Sequence, residues 1–116
     1  ITEYGCSAYY EGKSEDEGEY YQADYHQGSW EDIIHNSAFS DGSGNAIGGV
    51  IFEWLDEWWK GYEPSLHDRK SLWKGPFPDG TMHEEWLGIC GQGDGRLSPF
   101  QRHLRKAYFT YKRLWR

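Results

Sequence analysis

The sequence predicts an α/β fold with elements in the order β-α-β-loop-α. Three patterns support this prediction: a short strand pattern at residues 1–5, a helix pattern at about 16–36, and an apolar strand pattern at 46–54. Strand, helix and strand in this order form a βαβ unit, so we expect a parallel pair joined by a right-handed crossover. A second helix pattern closes the chain at 98–116.

The first strand and helix have clear boundary signals. Residues 1–5 end in Gly5, which permits a turn, and a loop is predicted up to residue 15. Ser14, followed three residues later by Glu17, matches the capping box of a helix N-terminus. The apolar positions that follow have the spacing of one helical face, which we expect to be buried: Tyr20, Ala23, Trp30 and Ile34.

The second strand is predicted from a run of apolar residues without alternation. Residues 46–54 follow a turn cluster at 41–45 and are almost all apolar. Because a strand with one wet face alternates apolar and polar residues, this pattern predicts a strand covered on both faces.

The segment at 60–97 is predicted to be a long connection with several prolines and glycines. Loops of this length are functional or disordered, and Trp73 and Trp86 indicate a packed loop. Ser98 and Pro99 are the residue types found at the N-cap and first position of a helix, so the last helix is expected to begin there.

Composition and charge limit the classes of protein to which this chain can belong. The chain has 116 residues, enough for one domain, and its 7 Trp, 9 Tyr and 5 Phe suit a dense core or a sugar-binding surface. The net charge is −7, and residues 1–60 carry 13 acids and 2 bases, which argues against a nucleic acid partner. No apolar run approaches the length of a membrane span. The chain opens on a strand without methionine, so we expect it to be either a piece of something larger or a mature or trimmed chain.

The cysteines and histidines bear on whether the chain has a disulfide or a metal site. Cys6 and Cys90 are predicted either to form one disulfide or to be two free buried thiols. The five histidines lack metal-ligand spacing, and His83-Glu84-Glu85 lacks the second histidine of a zinc helix. No metal and no cofactor are therefore expected.

Glu3 is the first candidate for chemistry. It stands at the end of the first predicted strand, and a stiff element can hold an ionised carboxylate in place. In retaining glycoside hydrolysis such a carboxylate attacks the anomeric carbon, while a second one protonates the leaving oxygen. A solvated glutamate at a strand end has the same pattern, so the spacing alone leaves both readings open.

The candidates for substrate binding are Phe52, Glu53 and Trp54, at the end of the second strand. An aromatic ring can cover the apolar face of a sugar, and a carboxylate can accept hydrogen bonds from its hydroxyls. The alternative is that Phe52 and Trp54 belong to the core and Glu53 forms a salt bridge. Asp56 and Glu57 follow closely, either lining the same cleft or lying in a solvated turn.

Two motifs resemble a known family. The run Glu3-Tyr4-Gly5-Cys6 resembles the seventh-strand nucleophile motif of the retaining (β/α)8-barrel glycosidases of clan A. This clan includes the β-glucuronidase and β-galactosidase group and the β-1,3-glucanosyltransferases. The run at 48–54 resembles the eighth strand, where these enzymes place an aromatic residue against the sugar.

The resemblance implies that the chain is the last quarter of such a barrel, with Glu3 as nucleophile. A complete barrel of roughly 250 residues is excluded by the length. The acid/base glutamate of the family follows an asparagine, and this chain has no Asn-Glu pair, so that residue is expected in sequence outside it. The expected partners are a carbohydrate substrate and the rest of the barrel or another chain. Two alternatives are a non-catalytic carbohydrate-binding fragment and a structural fragment that self-associates.

Overall fold

The computed structural model describes residues 1–70, 73–75, 77, 79–92 and 102–116. Their regular elements, in chain order, are α1 (Glu15–His35), β1 (Trp73–Lys74), β2 (Thr81–Met82), β3 (Cys90–Gly91), β4 (His103–Leu104) and α2 (Lys106–Leu114). Strand β1 pairs with β2 and β3 pairs with β4, both in antiparallel fashion. The described residues thus form a mixed helix-and-sheet fold without a closed barrel.

Helix α1 begins where its capping box predicts. The Ser14 hydroxyl accepts a hydrogen bond from the Glu17 amide at 3.2 Å, and the Glu17 carboxylate accepts one from the Ser14 amide at 3.0 Å. These bonds satisfy two amides that the first turn would otherwise leave unpaired. Neither helix of the described residues combines the length and apolar character needed to cross a membrane.

The predicted buried face of α1 is partly wrong. Ala23 is buried as predicted, but Tyr20 and Ile34 are exposed, and the other buried residues of the helix are Gly18, Gln22, His26 and Ile33. Gly18 explains part of this shift, because a Cβ at that position would lie 2.2 Å from the Ala8 carbonyl oxygen. A glycine that weakens the helix locally is therefore the residue that lets the preceding loop pack against it.

The two predicted strands meet in parallel, but over a short distance. The Tyr4 amide donates to the Val50 carbonyl at 3.0 Å, and the Phe52 amide donates to the Tyr4 carbonyl at 2.8 Å. The prediction of a regular strand over 46–54 that is buried on both faces is wrong. Ile47 is 99% exposed and Val50 is also exposed, because the described residues cover only one side of this segment.

Residues 87–91, which the sequence pattern assigned to a loop, pair with the second predicted strand. The Glu53 amide donates to the Leu87 carbonyl at 3.2 Å, the Ile89 amide to the Glu53 carbonyl at 2.8 Å, and the Cys90 amide to the Trp54 carbonyl at 3.0 Å. Cys90 also pairs with Leu104 across β3 and β4. A layer of extended segments thus runs in the order 1–5, 50–56, 87–91 and 103–104.

The last helix is shorter than predicted. Residues 103–104 form β4, and α2 begins only at Lys106, so the prediction of a helix over 98–116 is wrong for residues 102–105. The proposed cap at Ser98 and Pro99 lies outside the described residues. Arg105, the residue before α2, instead has an extended backbone and a buried side chain.

The core lies between the extended layer and the two helices, which pack against each other. Its buried members come from both: Tyr4, Ala23, Ile33, Ala46, Ile89, Cys90, Ala107 and Tyr111. The opposite face of the layer carries no α-helix among the described residues, and Ile1 and Val50 are exposed there.

We expect this open face to make the chain associate with itself or with another chain. Exposed apolar side chains and unpaired backbone groups at strand edges both favour such pairing. Sedimentation velocity at tens of micromolar should show species heavier than one chain. The Val50→Lys variant should shift the distribution towards monomer, because it places a charge on the exposed segment. A folded monomer in the unmodified chain would contradict this expectation.

Candidate functional site

Glu3 and Phe52 lie on the same face of the extended layer. Tyr4 pairs with Ile51, and both contribute to the core beneath the helices. Since neighbouring residues of an extended segment point to opposite faces, Glu3 and Phe52 project away from the helices. Gly5 permits the close approach of the two segments, because a Cβ there would lie 1.8 Å from the Phe52 carbonyl oxygen.

These residues line an open cleft of about 380 Å³. Its walls come from the first segment, the second segment and the long connection, and they include Glu3, Gly5, Phe52, Lys60, Glu84 and Leu87. The cleft therefore combines two carboxylates, one ammonium group and apolar surface. This combination of an apolar wall with few polar groups is typical of small-molecule sites.

Glu3 is exposed, but its neighbour Tyr4 is firmly held. The Tyr4 hydroxyl lies 2.8 Å from the Tyr111 hydroxyl of α2, which in turn lies 2.9 Å from Nδ1 of His26 in α1. Burial lowers the pKa of His26 to about 4, so this histidine is neutral at physiological pH. Backbone pairing and this buried chain of contacts together fix the backbone that presents Glu3.

Glu53 is buried next to the cleft rather than lining it. Its side chain is 9% exposed, and burial together with the nearby charge of Glu57 raises its pKa to about 8. Glu53 is therefore mostly protonated at neutral pH and can donate as well as accept a hydrogen bond. Among the described residues, its Oε1 atom has no hydrogen-bond partner.

Glu53 should make the stability of the fold depend on pH. Its pKa is near 4.5 when unfolded and about 8 when folded, so its contribution is full below pH 4.5 and is lost as the pH rises through 8. We expect the free energy of unfolding to fall by about 1–3 kcal/mol between those limits, relative to Glu53→Gln. Urea unfolding at several pH values checks this, with Glu31→Gln as an exposed control. Parallel curves for wild type and Glu53→Gln would contradict it.

Trp54 is placed away from the cleft. Its side chain is 61% exposed, and its ring lies 6.0 Å from the ring of Tyr108 in α2. Of the three residues predicted to bind sugar, only Phe52 lines the same cleft as Glu3. Its role as a sugar platform stays a prediction, as do those of Glu53 and Trp54.

The sequence analysis missed a buried ion pair between Asp56 and Arg105. The two guanidinium nitrogens of Arg105 donate to the two carboxylate oxygens of Asp56 at 2.6 and 2.7 Å, and the Gly88 amide donates to the same carboxylate at 3.0 Å. Burial raises the pKa of Asp56 to about 6 while Arg105 opposes that shift, so Asp56 is ionised at neutral pH. Asp56 lies neither in a solvated turn nor in the Glu3 cleft.

His67 anchors the long connection by stacking between two tryptophans. Its ring centroid lies 5.0 Å from that of Trp58 and 3.5 Å from that of Trp86, with nearly parallel planes. Burial lowers the pKa of His67 to about 3, so it packs as a neutral ring. The packing expected of this loop is therefore present at Trp86, whereas Trp73 is exposed.

The cysteines are two buried free thiols, which decides between the two predicted alternatives. The Cys6 sulfur lies 3.0 Å from the Tyr10 hydroxyl, and burial raises the pKa of Cys6 to about 11. A thiol with this pKa is a poor nucleophile at neutral pH. Among the described residues, no cluster of His, Cys, Asp and Glu could hold a metal ion.

Comparison with known proteins gives no match to a protein-family model, to a curated protein or to a solved structure. The function is therefore inferred from the cleft itself and from the two sequence motifs whose residues line it.

Proposed function

We propose that this chain is the C-terminal quarter of a retaining (β/α)8-barrel β-glycosidase or transglycosidase, in which Glu3 is the nucleophile. The observation that supports this most is the shared cleft of Glu3 and Phe52, on the face of the layer opposite the helices. In a complete barrel the helices lie outside, so that opposite face would point inwards. The residues of both resembling motifs then meet at one site.

The proposed reaction uses Glu3 as a carboxylate. One of its oxygens forms a bond to the anomeric carbon while the bond to the leaving oxygen breaks, and that oxygen keeps the electron pair. A second carboxylic acid, from the remainder of the barrel, gives the leaving oxygen a proton. Water or an acceptor sugar then bonds to the anomeric carbon and gives a proton to that second residue, now a carboxylate, while the bond to Glu3 breaks, giving hydrolysis or transfer.

Phe52 is proposed to hold the sugar. Its ring is half-buried and forms an apolar wall of the cleft beside Glu3. An aromatic ring stacks on the C–H face of a pyranose and leaves the hydroxyls to polar groups. Because the acid comes from elsewhere, this chain alone should not cleave aryl glycosides with poor leaving groups above the buffer rate.

A covalent label tests the assignment of the nucleophile. The complete enzyme containing this chain is treated with a panel of 2-deoxy-2-fluoro-β-glycosyl fluorides of gluco, galacto and manno configuration. Fluoride leaves with its bonding electrons and needs little acid assistance, and the fluorine at C2 slows hydrolysis of the glycosyl-enzyme. Peptide mass spectrometry should find the sugar on Glu3 and find no label in Glu3→Gln. A label on another carboxylate would overturn the proposal.

A non-catalytic carbohydrate-binding role is the alternative that one observation favours. Three aromatic side chains that follow Phe52 in the sequence are exposed, namely Trp54, Trp59 and Tyr62. Exposed rings can bind sugar without any nucleophile. In that case Glu3→Gln would bind oligosaccharides as tightly as wild type, and no member of the panel would label the protein.

A further inference from the structure

Lys60 is the sole cation among the described residues that line the Glu3 cleft, where it faces two carboxylates, Glu3 and Glu84. It is at the end of a short 3-10 helix, Trp58–Lys60, directly after the segment that carries Phe52. The sequence analysis did not select it, because a single lysine after two tryptophans has no distinctive pattern.

The ammonium group of Lys60 is held on three sides. It lies 2.6 Å from a carboxylate oxygen of Glu57, 3.8 Å from one of Glu84 and 4.5 Å from the centroid of the Phe52 ring. Burial by itself lowers the pKa of Lys60, but the hydrogen bond to Glu57 and the neighbouring carboxylates more than offset this and raise it. Lys60 is thus a charged donor held over the ring of Phe52, the proposed sugar platform.

We infer that Lys60 is a specificity-determining residue of the proposed glycosidase, and that the sugar it selects is uncharged rather than a uronic acid. This inference rests on the proposed function. An ammonium group has three N–H donors, and one side of this group forms an ion pair with Glu57 at 2.6 Å. The ammonium can therefore also donate to a hydroxyl of a sugar that stacks on Phe52.

The charges around Lys60 explain why the sugar is uncharged. Glu57 and Glu84 already face its single positive charge, and Glu3 adds a further carboxylate to the same cleft. A uronic acid would bring one more carboxylate into this group. Like charges at short range disfavour binding, and the effect is strongest where water is excluded. A neutral sugar accepts the Lys60 hydrogen bond without that repulsion.

The test compares two probes that differ only at C6. The complete enzyme is treated with 2-deoxy-2-fluoro-β-glycosyl fluoride and with the matching uronyl fluoride, in the configuration that labels best. The rate of covalent labelling of Glu3 is followed by mass spectrometry over a range of probe concentrations. We expect the neutral probe to label at least about tenfold faster at low concentration.

Variants separate the role of charge from that of packing. Glu84→Gln removes one of the carboxylates facing Lys60. The labelling rate of the uronyl probe relative to that of the neutral probe should therefore rise by about tenfold. Lys60→Met should raise the concentration of neutral probe needed for half-maximal labelling more than it lowers the maximal labelling rate. Lys60→Arg should restore part of the lost affinity. Glu63→Gln removes a charge from an exposed residue of the same connection outside the cleft and should change neither ratio.

The outcomes are distinct. A labelled Glu3 with equal or greater preference for the uronyl probe would overturn this inference and leave the proposed nucleophile in place. An unchanged probe ratio in Glu84→Gln would also overturn it. No label on Glu3 from any probe would overturn the proposed function and this inference with it.

Discussion

If the proposed function holds, Glu3→Gln is expected to lower kcat of the enzyme that contains this chain by several orders of magnitude, because an amide cannot form the glycosyl-enzyme bond. The change keeps the size of the side chain, and Glu3 is exposed, so the fold should be preserved. Initial rates on an aryl β-glycoside measure the effect, and circular dichroism checks the fold.

The control for Glu3→Gln is Glu31→Gln, which removes the same charge from the exposed surface of α1. It should leave kcat within about twofold of wild type, as for most surface changes. A Glu3→Gln enzyme within about tenfold of wild type would end the assignment of Glu3 as nucleophile, since loss of a nucleophile costs far more.

Arg105→Met is expected to destabilise the chain by about 3–5 kcal/mol, because it leaves the Asp56 carboxylate buried without its counter-charge. Asp56 is 1% exposed and Arg105 is 3% exposed, so water cannot replace the lost partner. The guanidinium also donates to the Gly88 carbonyl at 2.6 Å, and that bond is lost too. Urea unfolding at neutral pH measures the effect.

Two controls isolate the charge effect at this pair. Lys13→Met breaks the exposed pair with Glu17 and should cost less than about 1 kcal/mol. The double variant Asp56→Asn with Arg105→Met removes both charges and should recover part of the lost stability. Equal losses in Arg105→Met and Lys13→Met would show that the buried pair contributes no more than a surface pair.

Local signals predicted the parts of the fold that depend on local contacts. The capping box at Ser14 and Glu17 placed the start of α1 within one residue, because both hydrogen bonds lie within one turn. The parallel contact of residues 1–5 with the segment near Ile51 was also predicted, but the structure has one bridge there and not a long ladder. The apolar run at 46–54 led to a wrong prediction of burial on both faces. Burial of a segment depends on which other parts of the chain pack against each of its faces, and the run itself does not show this.

Contacts between distant positions could not be read from the sequence. The pairing of residues 87–91 beside Glu53 follows no alternation or turn signal, and Asp56 and Arg105 are 49 positions apart. For the candidate site, Glu3 and Phe52 were identified from the sequence as end-of-strand residues, and both line one cleft. The other charged residues of that cleft were not identified. Lys60 and Glu84 enter that cleft from the connection, whose path depends on the stacking of His67.

The contact between the Tyr4 and Tyr111 hydroxyls has a consequence for the order of folding. These residues are 107 positions apart, so the contact closes a loop that spans nearly the whole chain. Closing such a loop costs more entropy than forming a helical turn, and contacts of this range form slowly. Helix α1 can therefore form early, whereas the contact that helps to fix the backbone carrying Glu3 forms only after α2 has docked. A chain truncated before α2 would contain every side chain of the cleft and still lack this contact.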